Sequence, residues 1–394
     1  MVDFRYWVTG QGREIHSIAD DLAVRLGQLG DGWLESSDVS PKYFEFTPIE
    51  MHALTQRLKL PGPTCPDQKM IADIGNAVSF LNRVKALKVR GQKGYVGTSN
   101  IVWNSVEYSI ALCKNLMALW LADTDVCRLE GLDKIKGTIR RLVVHYSMRR
   151  FKDLLVPEDN CIPVTQMEKW PLIEKIDCSF NRIEEIDESV HVLAKAQYLN
   201  LSHNSITEIG PNLQHLSGLV ELDLSANCIT ELKSWNEKLG NLKKLTLAEN
   251  SIRDLSGLSK LYSLEYLDVR GNDIEEIESI APIGRLPCLE TLLLRDNPVR
   301  KVLDYRIRVL ESFKERCGEV KLDSKKADGK ELDTINVRLA LRRAKEEKEA
   351  RELRKKQKIQ EKINYLSGDD NLGSGKSRSN SNSTTSEPTT TQSN

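Results

Sequence analysis

Between Ile173 and Val302 the apolar residues keep one spacing, apolar-x-x-apolar-x-apolar-x-x-Asn-x-apolar-x-x-apolar, six times over. Asn181, Asn204, Asn227, Asn250, Asn272 and Asn297 hold the polar position, at steps of 23, 23, 23, 22 and 25 residues. Around Asn227 the apolar residues are Leu219, Leu222, Leu224, Ile229 and Leu232; around Asn250 they are Leu242, Leu245, Leu247, Ile252 and Leu255. Ile173, Ile176 and Cys178, then Ala196, Leu199 and Leu201, precede the first two asparagines. Leu264, Leu267 and Val269, then Leu289, Leu292 and Leu294, precede the last two. The period-two alternation predicts one short strand per repeat, its apolar side chains on one face. Amphipathic helices, with a 3.6-residue period, would not restore an asparagine at one place in every unit. A unit this small cannot bury its apolar face alone, so neighbours must stack around a shared core. The asparagine amide is then expected to satisfy backbone groups of the turn, whose loss would cost about 1–3 kcal/mol.

This is the leucine-rich-repeat pattern, and it predicts an α/β leucine-rich-repeat solenoid. The expected parts are a curved parallel sheet with short helical or irregular convex segments, a helical N-terminal region and a long C-terminal helix. Residues 1–80 are not repetitive and read as a helical region or cap, with helical spacing at Ile15–Leu29 and Pro48–Leu60. Degenerate repeats occupy 81–160. Leu116, Leu119 and Leu121 precede Thr124; Ile139, Leu142 and Val144 precede Ser147; Val84, Leu87 and Val89 precede Gln92 as a weaker match. The step of 34 from Ser147 to Asn181 is one repeat plus an insertion near Val156-Pro157-Glu158-Asp159-Asn160. Regular repeats run through 161–303. A cap follows at 304–323, helical from Asp304 and closed by a strand at Val320 and Leu322. Residues 324–366 read as a charged helix, held by i,i+4 ion pairs of about 0.2–0.5 kcal/mol each. A coiled-coil or acidic-surface docking role is the alternative, although the apolar positions are too irregular for a sustained heptad. The Ser-, Thr- and Asn-rich tail at 367–394 is expected to be disordered.

In each unit the residues two, four and six places before the asparagine position point away from the core. The residue just before it sits at the rim. This rule puts Trp120, then Arg141, His145 and Tyr146, then Lys175, Asp177 and Phe180 on the concave, partner-binding face. Tyr198, Asn200, His203, Glu221, Asp223, Lys244 and Glu249 continue it, followed by Tyr266, Asp268, Arg270, Arg295 and Asp296. Aromatic and arginine side chains dominate binding energy at interfaces. Mixed with both signs of charge, they favour a protein or peptide over a polyphosphate; the bland alternative is a row of ordinary exposed positions.

Composition adds little to this and removes much. Fifty-seven basic residues balance 57 acidic ones in 394, so global charge predicts neither nucleic acid nor an anionic membrane as partner. Eight cysteines without a Cys-x-x-Cys pair suit a reducing compartment. Met1-Val2-Asp3-Phe4-Arg5-Tyr6-Trp7 is no apolar signal segment, and no stretch approaches the ~18 apolar residues of a membrane span, so a cytoplasmic protein is expected. Six scattered histidines give no Ser/His/Asp or metal-ligand cluster by spacing. Gly375-Lys376-Ser377 lacks the glycine five residues earlier that a phosphate-binding loop requires. Asp187 and Glu188 read as solvated carboxylates. No enzyme, cofactor or metal is expected.

Several non-leucine stretches resemble the nischarin family of imidazoline-receptor-related proteins. They are Asn212-Leu213-Gln214-His215-Leu216, Lys238-Leu239-Gly240-Asn241, Leu258 to Leu264, and Leu286-Pro287-Cys288-Leu289-Glu290. Asp304-Tyr305-Arg306, Lys330-Glu331-Leu332-Asp333-Thr334, Val144-His145-Tyr146-Ser147 and Leu155-Val156-Pro157-Glu158 match as well. The similarity covers roughly Leu142 to Arg343. It implies a cytosolic and endosomal scaffold that restrains cell migration by engaging an integrin tail and Rho-family GTPase effectors, p21-activated kinase among them. No recognisable signature of the family's phox-homology domain is present. Similar 22-residue-repeat proteins hold a protein phosphatase, and a cytoskeletal or ciliary component is the other reading.

Overall fold

A computed structural model describes residues 15–37, 42–60, 73–92, 103–156 and 162–368. The expectations placed on Met1–Trp7, on Pro157–Asn160, on Gly375-Lys376-Ser377 and on the tail from 369 lie outside these residues. Three helices come first in the chain: α1 (Ile15–Ser37), α2 (Pro48–Leu58) and α3 (Ile74–Arg83). The strands are β1 (Phe44–Phe46), β2 (Ala86–Arg90), β3 (Tyr108–Ser109), β4 (Ala118–Ala122), β5 (Leu129–Glu130), β6 (Arg141–His145), β7 (Lys175–Asp177) and β8 (Tyr198–Asn200). They continue with β9 (Glu221–Asp223), β10 (Lys244–Thr246), β11 (Tyr266–Asp268), β12 (Thr291–Leu293) and β13 (Lys321–Leu322). Eleven of them form one sheet in chain order, parallel throughout, while β3 and β5 pair separately. α4 (Leu132–Ile135), α5 (Lys152–Leu155) and α6 (Trp235–Lys238) are single turns, and short 3-10 segments such as Pro211–His215 and Ala281–Arg285 recross in the other repeats. The chain is a leucine-rich-repeat solenoid, as its spacing predicts.

In-register pairing builds the core. Leu87, Leu119, Leu142, Ile176, Leu199, Leu222, Leu245, Leu267, Leu292 and Leu322 stand opposite one another from strand to strand, all buried. Each such burial is worth about 1.5–3 kcal/mol.

The asparagines bind the turns to one another. Asn227 Nδ2 lies 3.0 Å from Leu201 O of the preceding repeat and 3.0 Å from Leu224 O of its own, and Oδ1 accepts from Ile206 N at 3.0 Å. Asn204, Asn250, Asn272 and Asn297 repeat this scheme. Asn181 spans the insertion to reach Ser147 N, Met148 N and Val144 O. Five of the six are buried; Asn204 is half-buried.

The first part of the chain is not wholly helical. β1 pairs with β2 and opens the sheet, with Phe46 fully buried and Phe44 packed on Phe80 at 4.6 Å and Trp33 at 5.2 Å. A three-residue strand outside the repeat template carries no period that shows in the sequence. Thr47 and Glu50 then cap α2 reciprocally. Asp187 is half-buried and does more than face solvent: its Oδ1 accepts from Ser189 N and its Oδ2 from Lys152 N, which ties α5 to the next repeat.

At the other end α7 (Tyr305–Glu311) and β13 close the sheet. The Arg306 guanidinium donates to Leu322 O, Lys325 O and Lys326 O and pairs with Glu331 at 2.7 Å. Asp323 Oδ1 accepts from Leu294 N and Arg295 N, replacing the carbonyls a further strand would offer. α8 (Gly329–Gly368) begins in this unit; from Asn336 on it belongs to a second compact unit. There Lys345–Glu349 and Glu347–Arg351 pair at 3.9 Å, and Val337, Leu341, Leu353, Ile359 and Ile363 are exposed.

Candidate partner-binding face

From β4 to β12, each repeat leaves its strand through one residue in the left-handed backbone region, immediately before the ladder position. Asp123, Tyr146, Phe180, His203, Ala226, Glu249, Gly271 and Asp296 all have φ between 51° and 63°. Only one of these is glycine, and bulky residues adopt this conformation at a cost of about 1–2 kcal/mol. The turn places Tyr146, Phe180 and His203 side by side at the rim. Tyr146 and Phe180 ring centroids are 5.7 Å apart, and Phe180 stacks on His203 at 4.3 Å with 9° between planes. Tyr146 is nonetheless 57% exposed and Phe180 40%.

A second row runs inward along the open face of the sheet. Phe180 meets His145 at 5.9 Å, His145 meets Trp120 at 5.8 Å, and Trp120 meets Tyr43 at 5.6 Å. Lys88 Nζ sits 4.4 Å over the Trp120 ring and pairs with Glu45 at 3.1 Å. Among the described residues, Trp120 Nε1 is buried without a hydrogen-bond partner. Tyr43, Trp120 and His145 wall a cavity of about 530 Å³ that also takes in Arg141, Lys175, Asp177, Tyr198 and Glu221. A larger depression of about 850 Å³ lies on the rim side, against Tyr146, Phe180, His203, Asp125 and Arg182.

The structure brings Ser179, His145 and Asp177 together, which their spacing in sequence conceals. Ser179 Oγ is 3.2 Å from His145 Nε2, and Asp177 Oδ1 is 3.3 Å from the same nitrogen. This is not a nucleophile–base–acid relay, in which opposite ring nitrogens would serve the hydroxyl and the carboxylate. Ser179 instead donates to Asp177 Oδ1 at 2.7 Å and is only 2% exposed. The same turn recurs without a histidine, where Asp223 Oδ1 accepts from Ser225 N and Asn200 Oδ1 from Ser202 N. Burial alone would raise the Asp177 carboxyl. Hydrogen bonds from His145 and from the Ser179 hydroxyl and amide outweigh it, and the group lies below its ordinary value.

Towards the C-terminal repeats the open face is self-paired. Lys244 reaches Glu221 at 3.5 Å and lies 5.5 Å over the Tyr266 ring. Arg270 closes on Asp268 through Nε and Nη2, the latter at 2.7 Å. That leaves Asp268 1% exposed, a correction to its place among the accessible partner-binding residues. Arg295 is exposed, and its guanidinium donates to Asp323 O. Tyr198 sits between the two regions, its hydroxyl pushed up by burial and by the charges of Asp177, Asp223 and Glu221. The sequence rule passed over Tyr43 and Lys88. Lys88 stands four residues before Gln92 and obeys the same rule; Tyr43, beside β1, carried no signal. Burial raises the thiols of Cys113, to about 12, and Cys178, so both remain protonated packing groups. No group of three or more His, Cys, Asp or Glu among the described residues is placed to hold a metal ion.

Comparisons with known proteins agree on the repeats. Family models described as leucine rich repeat and as leucine rich repeats in two copies match residues 171–229 and 240–282. The chain is 44% identical over 57 residues to leucine-rich repeat-containing protein 23 of Bos taurus, a match covering 14% of this chain and 17% of that protein. It also resembles the solved structure of a leucine-rich-repeat protein of Leptospira interrogans, at 20% identity and TM-score 0.44 over 62% of each chain. An internalin F of Listeria monocytogenes aligns at 17% identity and TM-score 0.35, over 68% of this chain and 89% of that one. None of these matches is specific to the nischarin family. Repeat spacing, sheet and family models converge on one description: this is a leucine-rich-repeat-containing protein.

Proposed function

We propose that this protein is a non-enzymatic scaffold whose open sheet face, over β4 to β8, holds a protein partner. What supports this is the ring path Tyr43–Trp120–His145–Phe180–His203, whose neighbours lie no more than 5.9 Å apart while its rim end is exposed. Rigid aromatic groups on an ordered sheet give large contact area with little side-chain entropy to lose. The candidate face comprises Trp120, Arg141, His145, Tyr146, Lys175, Phe180, Tyr198 and His203; Glu221, Asp223, Tyr266, Arg270 and Arg295 form its flank. The nischarin-like stretches extend this reading to control of Rho-family GTPase effector signalling and cell migration in the cytoplasm, with an integrin tail or p21-activated kinase as the partner. Among the described residues no helix is long and apolar enough to cross a membrane.

The test is quantitative capture of cytosolic proteins by the chain and by a Tyr146→Ala/Phe180→Ala variant. Partners on the ring path should weaken by about 30-fold, while an Arg295→Ala variant keeps them. Equal retention by all three proteins would remove the ring path as the binding surface.

A further inference from the structure

We propose that Arg141 and Lys175 form a subsite for a carboxylate of an acidic peptide laid across β6 to β8. The inference rests on the open-face reading above and names the chemistry of its occupant.

The two cations are direct partners in the parallel register of β6 and β7, which puts their backbones about 4.8 Å apart. Like charges facing each other across strands destabilise a sheet. Both side chains are exposed, and among the described residues neither has a carboxylate within 4 Å. One residue earlier the same strands do pair charges, Arg140 with Glu174 at 2.8 Å. Elsewhere on this face Lys88, Lys244 and Arg270 each hold a carboxylate. The Arg141–Lys175 repulsion is therefore local to the cavity that both residues line. Trp120 and Tyr198 wall the same cavity.

A single carboxylate between guanidinium and ammonium would turn the repulsion into two charge-assisted contacts, with an aromatic neighbour packed on Trp120 or Tyr198. A nucleic-acid strand fits badly. Asp177, Glu221 and Asp223 occupy the adjoining positions of β7 and β9 and would repel a continuous polyanion. Asp177 does not serve as internal counter-ion, because its carboxylate holds His145 and Ser179.

The test screens the full chain against an array of random dodecapeptides and measures affinities of the enriched ones by fluorescence anisotropy. Lys175→Glu is the decisive variant, since it gives Arg141 a cross-strand partner and should raise the melting temperature rather than unfold the protein. The enriched peptides should carry Asp or Glu beside an aromatic residue, and Lys175→Glu should weaken them at least about tenfold. Enriched peptides without acidic residues, no enrichment at all, or unchanged affinity in Lys175→Glu would overturn the subsite. Preference for phosphoserine copies over their Glu counterparts would replace the carboxylate with phosphate and equally overturn it. A Tyr146→Ala/Phe180→Ala variant separates the two claims. If it loses the peptides while Lys175→Glu keeps them, the open face stands and the anion subsite falls; if neither matters, both fall.

Discussion

The two halves of the open face solve the same problem differently. β7 to β12 are three-residue strands whose turns are closed by asparagines, each reaching carbonyls in two repeats and accepting an amide from the one before. β4 and β6 are five-residue strands closed by hydroxyls. Ser147 Oγ donates to His145 O at 2.7 Å and accepts from Thr124 N at 3.1 Å, while Thr124 Oγ1 meets the Tyr108 hydroxyl at 3.0 Å. In the later repeats the face charges pair among themselves, through Lys244–Glu221 and Arg270–Asp268. From β4 to β8 ring contacts remain, and among the described residues Arg141 and Lys175 hold no carboxylate. A regular solenoid can satisfy its own surface, and the binding face proposed above lies where that self-satisfaction stops.

The largest expected effect tests the turn chemistry. Asn250→Ala removes a buried amide bonded across two repeats and should cost about 3 kcal/mol in chemical unfolding, whereas Ser147→Ala should cost about 1 kcal/mol. Equal losses would erase the distinction between the halves. Next, Arg306→Ala withdraws donors from three carbonyls and a carboxylate at the end cap, with an expected cost of about 2 kcal/mol. Amide exchange should then quicken at Leu322 before it does at Leu222. Asp268→Asn should cost only about 1 kcal/mol, because Arg270 is half-exposed, and should leave partner affinity within about twofold. A strong binding defect would return Asp268 to the contact surface.

The smallest effect concerns acidity. Burial lowers the pKa of His52 from its ordinary 6.5, although the bond from its Nδ1 to Glu107 O opposes the shift. The unfolded chain therefore takes up the proton first. Stability from this group is complete above about pH 6.5 and is lost as the pH falls below it. Asp177 runs over another range. Its carboxyl lies below the ordinary value, so its contribution is present above about pH 3.9 and disappears only in stronger acid. Amide protection in α2, after correction for the intrinsic pH dependence of exchange, should fall from pH 7.5 to 5.5 while that around Ser179 stays constant. A parallel fall at both sites would contradict the assignment.

The sheet and the asparagine ladder were legible because both follow from local periods: alternate residues share a face, and one polar position recurs in every repeat. That rule placed Trp120, His145, Phe180 and Tyr198 on one face, since in-register parallel pairing carries each position straight to its neighbour. It could not separate an accessible carboxylate from a covered one. Asp268 and Asp223 hold equivalent positions, and only the Arg270 side chain folded over Asp268 makes them differ. β1 escaped notice because Phe44-Glu45-Phe46 stands outside the repeated template that marks the equally short later strands, and with it went Tyr43 at the end of the ring path.

Periodic spacing of leucine and asparagine determined, without any coordinates, that this chain stacks parallel strands around one spine. The sequence carries that result because each contact is repeated and lies within one or two units. Tertiary structure alone decided which charges neutralise each other, which rings touch, and that Ser179 meets His145 across the insertion. Those outcomes depend on side-chain direction and on distances between residues far apart in the chain, which no period encodes.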